Sequence, residues 1–441
     1  MSVCFVMIRT VRHTAAAVAV LFATVSAGAA TKPSFEDLVA NLKSPNASTR
    51  QEAAAALGKS RRREAVTPLA ALVRDPEARV RLEVVRALRA LRDASGIPAL
   101  ITSLGDGDRD VREEAIGTLV EIYTERDRVG TVGRFLELFS DEYDRTSIAP
   151  FTVVDPAVEN GLAGALRDQD PFIREQAALA LGILNARSAL PALTNALRDP
   201  DAGVRGAAAT AIGKVGTAQD GRALIPLVAD GDAEVRNRVL QAIGVLRVRE
   251  AGPALRQMYE ANRRREASVR VLGALSRIAD PAQADLFQEV VQDPDPERKR
   301  LAIEGLGRIS DPSRLPAFKK DYQREKTDEL RLAYSFALTK LGDRAFVDTI
   351  VLNLPSRTLG TRSRNYLLEM GSEVLPDLYP YLGDPDPEIR AALCDVIALI
   401  GDVDAVARLT PLINDPSPKV ADRANRAVEK LRRGQAARTT G

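Results

Sequence analysis

The chain has no tryptophan, one histidine, two cysteines and four methionines in 441 residues, and aromatic side chains make up only 4% of it. The histidine, His13, and one cysteine, Cys4, fall in the first 29 residues, which read as a segment apart from the fold. What remains offers no imidazole and a single thiol, Cys394. That excludes a Ser-His-Asp triad, a Cys-His nucleophile and any histidine general base. It also excludes a zinc or haem site built from nitrogen and sulfur ligands, and any disulfide within the chain.

An excess of charge is also missing. Lysine and arginine number 62 against 60 acids. Residues 1–29 contribute Arg9 and Arg12 and no acid, so without them the two signs balance. A nucleic-acid groove needs clustered positive charge, and none is expected here. Arg9, Arg12 and His13 precede the apolar run Thr14–Val25, and Ala27-Gly28-Ala29 follows as a cleavage pattern. The expectation is a secretory signal peptide removed near Ala29, and a periplasmic or secreted protein. The apolar run is short for a span of about 20 residues, so no integral membrane segment is expected after cleavage. Acid pairs such as Asp293-Pro294-Asp295 and Asp384-Pro385-Asp386 look like metal ligands, but turn and helix-capping duties account for them. Calcium needs about six converging oxygens. No catalytic, metal-binding or cofactor-binding residue is expected.

What is there is a repeat. Asp199-Pro200-Asp201 is a turn with a helix-starting carboxylate, and Val204, Ala208, Ala211, Ile212 and Val215 follow at helical spacing. Gly216 stands where a helix end favours a residue tolerant of positive φ. Leu190–Leu197, with Pro191 near its start, is a second short helix before the turn. Such a hairpin cannot bury its apolar face alone and must stack on a copy. The last apolar anchors of successive copies are Leu91, Ile122, Leu184, Val215, Leu246, Ile278, Ile309, Leu341, Met370, Ile400 and Leu431. Their spacing is 29–32 residues, except for 62 between Ile122 and Leu184, which implies a degenerate copy there. With a capping unit near Phe35–Ser60 the expected fold is all-α, an α-solenoid of roughly thirteen hairpins. Cys394 takes the repeat position of Val85, Ile116, Ala178, Ala209 and Ile303, and is expected in the core. Gly182, Gly213, Gly244 and Gly307 share one repeat position, which predicts close helix packing rather than a phosphate loop.

The motif of turn, Val-Arg, alanine-rich helix and glycine resembles the HEAT repeat, in the short bacterial form similar to the phycobilisome-lyase HEAT-like repeat. It reads Asp75-Pro76…Val80-Arg81, Asp199-Pro200…Val204-Arg205, Asp230-Gly231…Val235-Arg236 and Asp384-Pro385…Ile389-Arg390. The resemblance implies a ladder between neighbouring repeats from the turn aspartates and the arginines six residues on: Asp75 with Arg81, Asp168 with Arg174, Asp199 with Arg205, Asp230 with Arg236, Asp384 with Arg390. The ladder lapses at Ser268, Gly360 and Ala421. It further implies that the second helices line the concave side, with Arg86, Thr210, Gln241, Glu304, Asp395 and Arg426 on it.

The expected organisation is a signal peptide at 1–29, repeats at 30–123, a degenerate aromatic-rich repeat at 124–156, repeats at 157–432 and a polar tail at 433–441. Two places stand out. Phe135, Phe139 and Tyr143 form an i, i+4, i+8 stripe in the degenerate stretch, either core or a contact site. Arg357, Arg362, Arg364 and Tyr366 form a basic patch with one aromatic. The function expected is that of a non-enzymatic exported scaffold that binds a protein partner, with Phe135, Phe139 and Tyr143 as first contacts and Arg362, Arg364 and Tyr366 as second. A lyase-like enzyme, enzyme subunit or chaperone is one alternative. A module recognising envelope glycan or an anionic polymer is the other.

Overall fold

The computed structural model describes residues 33–124, 152–263 and 265–439, with side chains as far as 433. Among these residues every regular element is helical. Twelve long helices carry the architecture. They are α1 (Ala47–Lys59), α2 (Ala78–Leu91), α3 (Arg109–Tyr123), α4 (Pro171–Ile183), α5 (Ala202–Val215), α6 (Ala233–Leu246), α7 (Ala267–Ile278), α8 (Pro296–Ile309), α9 (Asp328–Lys340), α10 (Gly360–Met370), α11 (Pro387–Ile400) and α12 (Pro418–Thr439). A shorter helical segment precedes each, as Leu190–Ala196 precedes α5. Each long helix packs on the next, from α1 through α12.

The turn aspartates start these helices. The Asp199 carboxylate accepts the Asp201 N–H at 2.9 Å, and Asp201 in turn caps α5 by accepting the Val204 N–H at 3.1 Å. The pattern recurs at Asp230 and Asp232, Asp293 and Asp295, and Asp384 and Asp386. Helix ends follow a different rule from the one expected. Gly216 has φ −84°, an ordinary value; it is needed because a Cβ would lie 2.7 Å from the Ile212 carbonyl oxygen. The positive-φ positions beyond the helices are held by Arg61, Arg92, Asn185, Arg247, Ala279 and Ser310, and by Gly342, Gly371 and Gly401.

The ladder is present, and its wiring is specific. The Arg205 Nη1 donates to the carbonyl oxygens of its own turn, Asp199 and Pro200, at 2.9 and 3.1 Å. Its Nε and Nη2 donate to both carboxylate oxygens of Asp230, the turn acid of the following repeat, at 2.8 Å each. Arg50–Asp75, Arg81–Asp106, Arg174–Asp199 and Arg390–Asp415 repeat this geometry. The arginine therefore reads its own turn through backbone carbonyls and its neighbour's turn through the carboxylate.

The recurring glycines set the helix spacing. A Cβ on Gly58, Gly182 or Gly307 would lie 2.7, 2.9 or 2.6 Å from the Cα of Ala87, Ala211 or Ala337 on the next long helix. The helices approach until backbone meets backbone. Cys394 is fully buried, as its repeat position predicts.

Across the interval between Ile122 and Leu184 the described repeats meet directly. Helix α3 packs directly on α4. Arg112 pairs with Asp168 at 2.8 Å, and Arg109 with Asp170 at 2.8 Å while lying over the Phe172 ring. Gly161, in helix Pro156–Ala165, sits against Leu104 and Ile101. The Asp155 N–H donates to the Tyr123 hydroxyl at 3.2 Å, so the chain returns where it left. The described residues form twelve repeats, and most of the expected degenerate repeat at 124–156 lies outside them. Phe135, Phe139 and Tyr143 lie outside the described residues.

Two outcomes follow from this packing. Gly307→Ala forces a methyl into the Ala337 backbone and lowers stability by about 1–3 kcal/mol, whereas Gly164→Ala, with open space around it, is neutral or mildly stabilising; denaturant unfolding of both variants measures this. Arg205→Ala strands the Asp230 carboxylate, whose side chain is only 10% exposed, and costs about 2–4 kcal/mol. The ladder carboxylates also set the acid response. Hydrogen bonding to Arg205 lowers the Asp230 pKa. At Asp75, Asp106 and Asp199 burial pushes the pKa up, but the arginine and a backbone N–H outweigh it. Lowered folded-state values mean stability that is complete above the unfolded carboxylate pKa of about 4 and is lost as pH falls below it. Asp199→Asn should be less stable at neutral pH and lose less on acidification, as read by thermal melts across the acid range.

Candidate functional site

The bidentate ladder stops at α6. Arg236 still donates to the carbonyls of Asp230 and Gly231, at 2.6 and 3.0 Å, but Ala261 stands where the next acid would be. Lys299 pairs with Glu325 at 3.1 Å in a weaker version. Arg331 reaches the carbonyl of Glu325 in its own turn at 3.3 Å and the Tyr322 hydroxyl at 3.0 Å rather than an acid of the next turn, and the pattern resumes at Arg390. The ladder ties the N-terminal ends of the long helices together. Across the joints without it, the opposite ends converge.

The convergence is visible in contacts that skip repeats. Arg308 of α8 donates to both carboxylate oxygens of Glu369 on α10, at 2.8 and 3.0 Å, past α9. Arg247, in the left-handed position ending α6, reaches the same carboxylate at 3.5 Å from four helices away. The Tyr366 hydroxyl of α10 donates to Glu304 of α8. Long helices α6, α8 and α10 thus meet at one polar centre, an arc that α7 joins through Ser276 and α9 through Phe336. The apolar core also divides at α9, where Leu332 and Phe336 belong to one cluster and Ala333 and Ala337 to the other.

At the centre is Glu304, 3% exposed. It accepts from Arg300 and Tyr366, and from Arg308 at 3.2 Å. Burial alone would raise its pKa; attraction to Arg300 and Arg308 outweighs this and holds it at about 2. Arg308 also donates to the Ser276 hydroxyl at 2.8 Å and lies over the Phe336 ring, which stacks on Tyr366 at 4.3 Å between centroids. Arg300 is further held by Glu297. The three carboxylates, Glu297, Glu304 and Glu369, are therefore engaged. Helix C-termini carry partial negative charge, so part of this arginine density serves the fold.

Arg277 on α7 is different. It makes no ion pair among the described residues. Its stem crosses Gly244 of α6, with Cβ and Cδ 3.2 and 3.3 Å from where a Cβ there would sit. The side chain is open to water, yet surrounding protein desolvates its charge and Arg308 repels it, which lowers its pKa. The arc offers hydrogen-bond donors and positive charge; among the described residues no group of three or more His, Cys, Asp or Glu could hold a metal. The one described thiol, Cys394, is pushed up to about 12 by burial.

A family model described as HEAT repeats matches residues 35–127, 158–244, 221–306, 252–339 and 361–438. The chain belongs to the HEAT-repeat family. No curated protein matches it. Among solved structures it is similar to an engineered protein, at 19% identity and TM-score 0.36, covering 90% of this chain and 98% of that one. It is also similar to the CpcE–CpcF complex of phycocyanin lyase from Nostoc sp. PCC7120, at 23% identity and TM-score 0.28, covering 63% and 96%.

Against this HEAT framework the second site expected from sequence comes apart. Tyr366 is 3% exposed, on the α10 stripe with Ser363, Leu367 and Met370 that faces the core; it is a core residue and not a surface anchor. Arg362 is half-buried and paired with Glu329 at 2.9 Å, Arg364 is half-buried, and Arg357 is exposed. Of the residues assigned to the concave side, Arg86, Gln241 and Arg426 are exposed, Thr210 and Glu304 are buried, and Asp395 pairs with Arg423 at 2.7 Å. Sequence reading passed over Arg247, Arg277, Arg308 and Glu369. A signal was present: the ninth residue after each ladder position is Lys214, Val245, Arg277, Arg308 and Lys340 in successive repeats. Among the described residues no helix is long and apolar enough to cross a membrane.

Tyr366→Phe should cost about 1.5–3 kcal/mol, the value of a hydrogen bond to a charged group, and should raise the Glu304 pKa. The loss of stability on acidification would then be smaller than in the parent and complete at a higher pH, as read from paired unfolding curves.

Proposed function

We propose that this HEAT-repeat protein is an exported, non-enzymatic scaffold that binds another protein along the long-helix layer, with the arc between α6 and α10 as its centre. The observation that carries the reading is the arc itself. A solenoid whose units touch mainly their neighbours presents an extended surface, and here that surface is polar and provided with an arginine that the fold leaves unpaired. Val245, 45% exposed, sits beside Arg277 in the same file of positions and supplies an apolar contact. Such a mixture suits a polypeptide, in which a few anchors carry most of the affinity. Export rests on residues 1–29: a basic start, an apolar run and Ala27-Gly28-Ala29.

The test is isolation of the tagged protein from its native cells, with amine cross-linking and mass spectrometry. A stoichiometric partner should cross-link to Lys214 and Lys340 on the long helices in preference to Lys320, exposed on the short helix Leu315–Arg324. A partner found only at Lys320, or no partner at all, contradicts the reading. The N-terminus of the isolated chain should begin near residue 30; an intact Met1 contradicts export by a cleaved leader.

A further inference from the structure

We infer that Arg277 is a carboxylate-recognition residue, and that the occupant of the arc is an extended, acidic segment of a partner polypeptide. This deepens the scaffold reading and rests on it.

The argument is one of charge accounting in a defined geometry. On the arc, Glu304 is taken by Arg300, Arg308 and Tyr366, Glu369 by Arg308 and Arg247, and Glu297 by Arg300. None of these carboxylates forms an ion pair with Arg277, although Glu304 and Glu369 attract its charge from a distance. Arg308 is consumed on all sides by Glu369, Glu304 and Ser276, so it shapes the wall and does not read a ligand. Arg277 has the same repeat position but no ion-pair partner among the described residues; its Cβ and Cδ lie over Gly244 and the side chain is exposed. An exposed guanidinium with no internal carboxylate keeps its planar fork of donors for a ligand carboxylate.

The positions on either side define the occupant. Lys214, Val245, Arg277 and Lys340 follow one file along α5, α6, α7 and α9. Packed helices lie about 8–10 Å apart, and this spacing contracts on the inside of a curve. An extended chain presents alternate side chains on one face every ~7 Å. The file therefore fits a strand-like segment carrying acids on one face with an apolar residue opposite Val245.

The experiment measures binding of a fluorescent oligo-glutamate peptide to the full chain, with oligo-lysine and inorganic polyphosphate as parallel probes. The variants are Arg277→Glu and Arg277→Gln, with Arg270→Glu, exposed earlier on the same helix, as the control for general charge. Thermal melts check that each variant is folded; the open position of Arg277 predicts melts like the parent's. The expected result is saturable oligo-glutamate binding, weakened roughly tenfold or more by Arg277→Glu, less by Arg277→Gln and about twofold by Arg270→Glu. Equal binding by the parent and Arg277→Glu overturns the inference, as does loss of the same size from Arg270→Glu. Tighter, Arg277-dependent binding of polyphosphate than of oligo-glutamate also overturns it, in favour of an anionic polymer. If a native partner is captured equally by the parent and Arg277→Glu, the scaffold reading stands and the carboxylate inference falls. Loss of all capture alongside retained oligo-glutamate binding separates the two the other way.

Discussion

The rest of the structure depends on one guanidinium used twice. Arg205 grips the carbonyls of its own turn with Nη1 and the carboxylate of the next turn with Nε and Nη2. The first contact fixes where its helix begins; the second fixes where the neighbouring helix begins relative to it. Repeated at Arg50, Arg81, Arg174 and Arg390, the device sets the register of each joint. With register fixed, Gly58, Gly182 and Gly307 fall opposite Ala87, Ala211 and Ala337, and the helices close to backbone contact. The long apolar core then forms without tryptophan or disulfide, from side chains small enough for that spacing.

The same device explains the site by its absence. From Arg236 to Arg331 the bidentate pair to the next turn is missing, with Lys299–Glu325 a partial substitute. Joints no longer pinned at the helix N-termini can splay there, and the C-terminal ends draw together. Arg308, Glu304, Glu369 and Tyr366 hold them in that position, and Arg247 closes the ring of contacts. A buried ion network of this kind adds little net stability over apolar packing, but it defines one geometry. The result is a wall on which Arg277 is positioned and left unmatched.

The fold was legible because its rules are local. Asp-Pro turns, helix spacing and the repeat length can be read from single units, and the resemblance to HEAT repeats named the architecture. The ladder was legible in its residues but not in its wiring, since sequence does not say whether an arginine meets its own turn's carbonyl or its neighbour's carboxylate. The doubled interval after Ile122 implied a degenerate copy; among the described residues α3 and α4 meet directly, and Arg112 pairs with Asp168 across the joint. The arc was not legible. It arises from the summed angles of four joints, which bring Arg247 and Glu369 together across 122 positions of sequence. Tyr366 was misplaced for the same reason, because its partner Glu304 lies two repeats away.

The central claim is that α8 and α10 converge past α9 to build the arc. A double-mutant cycle between Arg308→Ala and Glu369→Ala, read by denaturant unfolding, tests it most directly. Each single variant loses stability, and the pair should show a coupling energy of about 1–3 kcal/mol. Additivity within about 0.3 kcal/mol, the level expected of distant sites, would mean that the two helices do not meet and that the arc does not exist.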